Sequence, residues 1–209
     1  MDGQTSTMTD HGRQSPLFVT TQDLAVWHQF QGFKSNDCAA FSLAIVANAV
    51  LQARHLDGQM VARELERLRF IKTPLPHLAL WKIPGWITFP WGISGYLRRQ
   101  GILARCRWLG KIADLQRNLS ENRPTVVIVG EPLRRKGIRY AGWAHAKVLY
   151  GYEPVGPRPA RGLYFVDPGV PATWSQPSLP RGVTFQNEEE FWQQWRNMFR
   201  MYVEVPANN

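Results

Sequence analysis

A thiol that could act as a nucleophile lies at the start of an apolar segment. Cys38 follows Asn36 and Asp37, two residue types that favour the beginning of a helix, and residues 38–53 are apolar on nearly every face. Unpaired N–H groups at a helix start carry partial positive charge, which stabilises a thiolate. The sequence therefore predicts Cys38 as a nucleophile in the first turn of a buried helix.

An imidazole and a carboxylate that could complete such a site lie further along the chain. Alternating and β-branched residues predict strands over 143–152 and 163–167, which contain His145 and Asp167. Two strands joined by a loop can pair side by side as antiparallel neighbours. An imidazole can accept the thiol proton, and a carboxylate can hold the ring in its useful tautomer. We interpret His145 as the base and Asp167 as the acid that orients it.

Four segments around these residues resemble the bacteriocin-processing, or double-glycine-leader, cysteine peptidases and the free-standing papain-like domains related to them. They read NDCAA at 36–40, GWAHA at 142–146 running on to VLYGY at 148–152, YFVDP at 164–168, and EFW at 190–192. The match spans about residues 29–205. The resemblance implies Cys38, His145 and Asp167 as the catalytic triad, and a peptide with small residues before the cut as the substrate.

The chain departs from this family at three positions. Ala39 follows the nucleophile where the family usually has Gly, and Gln31 lies one position further from the nucleophile than the family's oxyanion-hole glutamine. We predict Gln31 as the oxyanion donor, with Gln29 as the alternative. Lys147 shares a strand face with His145 at a position where the family favours an apolar residue. We expect the Lys147 stem to pack while its ammonium reaches solvent.

The order of the predicted elements indicates the fold class. Helices come first and strands later, which is typical of an α+β fold. With the resemblance, this implies a papain-like fold in which N-terminal helices, including a buried central helix that carries the nucleophile, pack on a C-terminal antiparallel β-sheet. We expect a flexible polar tail over 1–16 and a single peptidase domain over 17–209. The predicted helices are 38–53, 59–70, 91–100, 112–122 and 188–198, the strands 102–108, 125–129, 143–152, 163–167 and 201–205, and the loops 73–90 and 131–139.

The charge of the chain favours anionic partners, because its net charge is +9. Two clusters hold much of this charge: a first basic cluster of Arg98, Arg99, Arg105, Arg107 and Lys111, and a second basic cluster of Arg134, Arg135, Lys136 and Arg139. A solvated surface that keeps the protein soluble would look the same. No signature of a nucleic-acid-binding module accompanies the clusters, so nucleic acid is not an expected partner.

The cysteine content and the apolar segments bear on the compartment. Two cysteines cannot build a disulfide framework, so reduced thiols are expected. The first 16 residues lack the apolar stretch of a secretory signal, and the run over 38–51 is shorter than the roughly 20 residues that span a bilayer. We predict a cytoplasmic protein with no membrane span. Metal-ligand spacings of Cys and His and glycine-rich phosphate loops are absent from the sequence, so no cofactor is expected.

These residues favour a thiol hydrolase that cleaves a peptide or amide bond in a peptide or protein substrate through an acyl-enzyme on Cys38. Two alternatives stay open at this point. The same triad could pass the acyl group to an amine, as transglutaminase-like enzymes do. A papain-like module without turnover could instead bind an acidic partner through the basic clusters.

Overall fold

The computed structural model describes residues 17–18, 23–67, 69–71, 77–83, 87–136, 139–154, 161–174 and 178–206. The predicted tail over 1–16 lies outside the described residues. In chain order the elements are β1 (Leu17–Phe18), α1 (Cys38–Leu51), α2 (Gly58–Leu65), β2 (Arg69–Ile71), β3 (His77–Ala79), β4 (Lys82–Ile83), β5 (Ile87–Thr88), α3 (Pro90–Arg99), β6 (Arg105–Arg107), α4 (Ile112–Ser120), β7 (Thr125–Lys136), β8 (Arg139–Glu153), β9 (Gly162–Val166), β10 (Val183–Asn187), α5 (Glu188–Asn197) and β11 (Tyr202–Glu204). Short 3₁₀ turns occur at Leu24–Trp27 and Ala172–Trp174.

Helix α1 is the central helix of the core. Its residues from Ala39 to Ala49 are buried, as its uniformly apolar composition predicts, and it contacts α2, α3, β7 and β8. Its two polar side chains are hydrogen-bonded. Ser42 Oγ donates to the Ala146 carbonyl of β8, and Asn48 bonds both the N–H and the carbonyl of Leu56. These bonds tie the helix to β8 and to the connection that leads into α2.

The strands of the second half build an antiparallel sheet in the order β10-β9-β8-β7-β11-β6, and β1 pairs with β8. Two separate hairpins, β2–β3 and β4–β5, lie between α2 and α3 in the chain. The described part of the chain is therefore an α+β fold, as predicted, although β1 and β6 of the sheet precede α1 and α4, and α5 lies between β10 and β11.

The pairing of β8 with β9 determines which side chains meet at the end of β9. Val166, the last residue of β9, pairs with Val148 in an antiparallel register. Asp167 therefore comes alongside Lys147, one residue beyond the last pair, and His145 lies two residues further along β8. Residues two apart on a strand share a face, so a side chain at the end of β9 can approach both of them.

Two segments predicted as loops contain strands. The predicted loop over 73–90 includes β3, β4 and β5. The predicted basic loop over 131–139 is largely the hairpin of β7 and β8, whose pairing continues past an irregularity between Glu131 and Arg134. Both predictions were wrong because a partner strand satisfies the backbone of residues whose types favour turns.

The helix ends also differ from the prediction. Helix α1 ends at Leu51 rather than at 53, where Gln52 adopts a left-handed conformation. Helix α2 ends at Leu65 rather than at 70, and residues 69–71 form β2 instead. The final helix was predicted closely. Phe191 and Trp195 of α5 are fully buried and their rings stack with centroids 5.3 Å apart.

No helix in the part of the chain that the structure describes has the length and apolarity needed to cross a bilayer.

Candidate active site

Cys38, His145 and Asp167 meet at one end of β8. Nε2 of His145 lies 2.7 Å from Oδ1 of Asp167, and the Cys38 side chain interacts with the same ring and raises its pKa. Because Nε2 is engaged with Asp167, Nδ1 is the ring nitrogen left for the sulfur. The Cys38 Sγ also accepts the Ala146 N–H at 3.3 Å, a contact that the sequence does not reveal. The structure thus brings together the three side chains that the sequence singles out.

The protonation of these groups follows from their contacts. Burial disfavours the charged ring, but the bonds from Asp167 and Cys38 outweigh it and raise the pKa of His145 to about 9. Burial also disfavours the Asp167 carboxylate, yet the ring, the Lys147 ammonium and the Gly169 N–H hold its pKa below the ordinary value. At neutral pH the site therefore holds an imidazolium between a carboxylate and the sulfur.

Asp167 is fixed by the turn that follows β9. Its N–H donates to the Gly182 carbonyl at 2.9 Å, and its Oδ1 accepts the Gly169 N–H at 2.8 Å. The His28 ring bonds the Asp167 carbonyl at 3.0 Å. Gly182 has a φ of +74°, and a Cβ there would lie 2.2 Å from the His28 ring, so only glycine fits. Sequence reasoning missed His28, which stands in a mixed segment without a recognisable motif.

Gln31 lines the cleft that contains Cys38 and His145. The backbone N–H of Gln31 donates to the Pro168 carbonyl at 2.9 Å. One of the two N–H groups on its side-chain Nε2 donates to the Ser35 carbonyl at 3.0 Å. The loop that carries Gln31 is therefore fastened to the turn that carries Asp167.

Gln29, the alternative oxyanion donor, forms hydrogen bonds with the backbone around the start of α2. Its Nε2 donates to the Leu56 carbonyl, and its Oε1 accepts the Gly58 N–H, both at 2.9 Å. It joins its loop to the start of α2, because the backbone at that helix start needs partners. Gln31, and not Gln29, is among the residues that line the cleft beside Cys38, so the geometry favours Gln31.

Lys147 does not send its ammonium to solvent, so that expectation was wrong. Its side chain is 10% exposed, and its Nζ donates to Gln186 Oε1 at 2.9 Å. The Nζ also lies 3.9 Å from Asp167 Oδ2 and 4.8 Å from the centre of the Phe165 ring. The reason is that the next two strands of the sheet, β9 and β10, supply the ring and the amide that surround the ammonium.

Lys82 is a second buried cation that sequence reasoning missed. Its side chain is 2% exposed, and its Nζ lies 2.6 Å from Asp37 Oδ1 and 2.6 Å from Glu66 Oε1. Asp37 precedes Cys38, but its carboxylate does not cap α1; it binds Lys82 and accepts the Ser35 hydroxyl. Lys82 belongs to the segment predicted as a proline-rich loop, and a lone lysine there gave no signal of burial.

The cleft beside Cys38 has a volume of about 450 Å³. Its walls include apolar side chains at Ile87, Ile128 and Trp143, and Met198 also lines it. A cavity with apolar walls and a few polar groups at one end is typical of a site that binds an organic ligand.

All five residues of the first basic cluster are exposed. Three of its members have protein partners: Arg107 pairs with Glu204 at 2.8 Å, and Arg98 donates to the carbonyl and hydroxyl of Ser94. The guanidinium of Arg99 lies over the Trp81 ring, 6.0 Å from its centre. The side chains of the second basic cluster lie outside the described part of the structure.

No protein-family model matches the chain, and no curated protein matches it in sequence. Its structure is similar to the crystal structure of a suspected C39-like peptidase from Bacillus anthracis, with a TM-score of 0.61. The two chains share a fold. The alignment covers 94% of this chain and 100% of the other, at 14% sequence identity, so the similarity concerns the architecture.

We predict that Lys82→Met lowers the free energy of unfolding by about 1–3 kcal/mol, because it leaves the Asp37 and Glu66 carboxylates, which are 28% and 37% exposed, without their cation. At pH 7 Lys82 and Asp37 are both charged in the wild type. Burial disfavours each charge, but the hydrogen bonds between the charged groups outweigh it. They raise the pKa of Lys82 above 10.5 and lower that of Asp37 below 3.8. Urea unfolding at pH 7 measures the change. Lys34→Met, at an exposed position in the same region, is the control. Equal stability of the two variants would contradict the prediction.

Proposed function

We propose that the chain is a papain-like cysteine peptidase in which Cys38 attacks the carbonyl carbon of a peptide or amide bond. The observation that carries this proposal is the position of the His145 ring, which bonds Asp167 at 2.7 Å and interacts with the Cys38 side chain. Such an arrangement makes a thiol a nucleophile at neutral pH.

Three features stabilise a negative charge on the sulfur. Cys38 is the first residue of α1, where backbone N–H groups lack intrahelical partners. The Ala146 N–H donates directly to Sγ, and the His145 imidazolium supplies a full positive charge. A thiolate in this setting attacks the carbonyl carbon and forms a tetrahedral intermediate.

His145 carries the proton through the cycle. The imidazolium gives its proton to the leaving amine when the C–N bond breaks, which leaves an acyl group on Cys38 as a thioester. The neutral ring then takes a proton from water as the water attacks the thioester. Breaking of the C–S bond releases the carboxylic acid and restores the starting pair. Asp167 keeps the ring oriented in both halves of the cycle.

We assign the oxyanion site to the Cys38 backbone N–H and the second N–H of Gln31 Nε2. One amide N–H of Gln31 is used by Ser35, and the other, which has no partner among the described residues, is left for a substrate oxygen. The backbone bond between Gln31 and Pro168 supports this role, because it fixes the loop against the turn of the triad acid.

The substrate class follows from the cleft and the surface charge. Apolar walls at Ile87, Ile128 and Trp143 favour an uncharged side chain next to the scissile bond of a peptide or protein. The exposed first basic cluster favours an acidic region elsewhere on such a partner. Both cysteines are free, which suits the reducing conditions of the cytoplasm.

We predict that iodoacetamide modifies Cys38 much faster than Cys106, and that Cys38→Ala abolishes hydrolysis of a fluorogenic peptide library while the circular dichroism spectrum stays unchanged. Burial raises the pKa of Cys106, so that thiol stays protonated. Peptide mapping by mass spectrometry measures the two labelling rates.

Equal and slow labelling of both cysteines would argue against a peptidase and for a binding module. Products that carry an added amine in place of a free carboxylate would identify acyl transfer as the reaction.

We also predict that Gln31→Ala lowers kcat/KM by about 100-fold to 1000-fold, the usual loss when one oxyanion donor is removed. Steady-state kinetics on a peptide cleaved by the wild type measures the loss. The rate of Cys38 alkylation should stay near that of the wild type, since alkylation forms no oxyanion. Gln29→Ala is the matched control: it should lower thermal stability and leave kcat unchanged. An equal fall in kcat/KM for both variants would disprove the assignment of Gln31.

A further inference from the structure

We propose that Lys147 is a positioning residue of this site, whose buried ammonium acts through Asp167 to set the pH range in which Cys38 and His145 form a charged pair. The inference rests on the proposed function, since it concerns the same triad. It adds a residue that neither attacks the substrate nor touches the sulfur.

The carboxylate of Asp167 lies between two cationic side chains. Its Oδ1 accepts the His145 ring at 2.7 Å, and its Oδ2 lies 3.9 Å from the Lys147 Nζ. The side chains of Lys147 and Asp167 are 10% and 9% exposed, so little water screens the three charges. The strand register explains the arrangement, because Asp167 comes alongside Lys147 at the end of β9.

The surroundings of the ammonium indicate that Asp167 is its counter-charge. Gln186 Oε1 accepts one N–H at 2.9 Å, and the Phe165 ring faces the Nζ at 4.8 Å. An amide and a ring alone do not compensate a buried charge. Burial outweighs the opposite effect of Asp167 and Glu190, so the pKa of Lys147 lies below its ordinary value.

A polar chain connects this ammonium to the exposed surface of α5. Gln186 Nε2 donates to Gln194 Oε1 at 2.9 Å, and Gln194 Nε2 donates to Glu190 Oε1 at 3.1 Å. The other ionisable groups near the site face it from different elements: Cys38 from α1, Asp167 after β9, Glu131 from β7 in the cleft, and His28, which bonds the backbone carbonyl of Asp167.

A cation on the far side of Asp167 opposes a second cation on His145 and favours anions nearby. Without the Lys147 ammonium, the imidazolium of His145 would keep its proton to higher pH, and the thiolate of Cys38 would also form at higher pH. We expect both limbs of the pH profile of Cys38 reactivity to move up by about one pH unit, the size expected when one nearby charge is lost from a partly screened site.

The experiment measures the alkylation rate of Cys38 by iodoacetamide from acid to alkaline pH, in a Cys106→Ser background that leaves a single thiol. No peptide substrate is needed. Lys147→Met keeps the length of the stem and removes the charge, and its two midpoints should lie about one pH unit above those of the parent. Gln186→Leu is the matched control, because it alters the same contact and leaves the ammonium beside Asp167. Its midpoints should stay at the parental values.

A lower melting temperature of Lys147→Met with unchanged midpoints would show a structural role only and overturn the proposal. Equal shifts in Lys147→Met and Gln186→Leu would overturn it as well. If Lys147→Met does not fold, the double variant Lys147→Met with Gln186→Leu removes both polar partners together and should show the same shift. Slow alkylation of the parent without a midpoint would instead defeat the proposed function, so the two failures are distinguishable.

Discussion

The hydrogen bond between Asp167 and His145 is the contact on which the site depends. It holds the ring so that Nε2 is occupied and Nδ1 is left for the sulfur of Cys38. It also compensates for the burial of the charged ring, which by itself would favour the neutral form. The bond exists because β9 ends at Val166, one residue before the acid, where the pairing with β8 brings the carboxylate next to the histidine strand.

Each side of the site is supported by a buried lysine that binds an aspartate. Lys82 binds Asp37, the residue before Cys38, and Lys147 lies behind Asp167, the partner of His145. Both cations come from segments outside the helix or turn that they support. Breaking such a buried pair leaves one charge uncompensated, which destabilises a protein more than the loss of a surface pair. The two lysines thereby link the stability of the fold to the geometry at Cys38.

The helix that begins at Cys38 and the strand that contains His145 were predictable from sequence because their local patterns are strong. An apolar run after Asp37 predicts the buried helix that begins at Cys38, and alternation predicts the strand of His145. Contacts made across the fold were not predictable. The residues next to Lys147 in the sequence do not indicate that β9 and β10 supply its partners. The residues next to Lys82 in the sequence do not indicate the two carboxylates that bind it. The hairpin of β7 and β8 was missed for the same reason, since strand pairing overrides the local preference of basic and proline residues.

The most direct test of the central claim is a nitrogen-15 NMR titration of the His145 ring in the wild type and in Asp167→Asn. The account predicts an imidazolium at neutral pH that loses its proton near pH 9 in the wild type. In Asp167→Asn the proton should leave at clearly lower pH, because the carboxylate that offsets burial is gone. A ring that is already neutral at pH 7 in the wild type, with the same midpoint in the variant, would contradict the account.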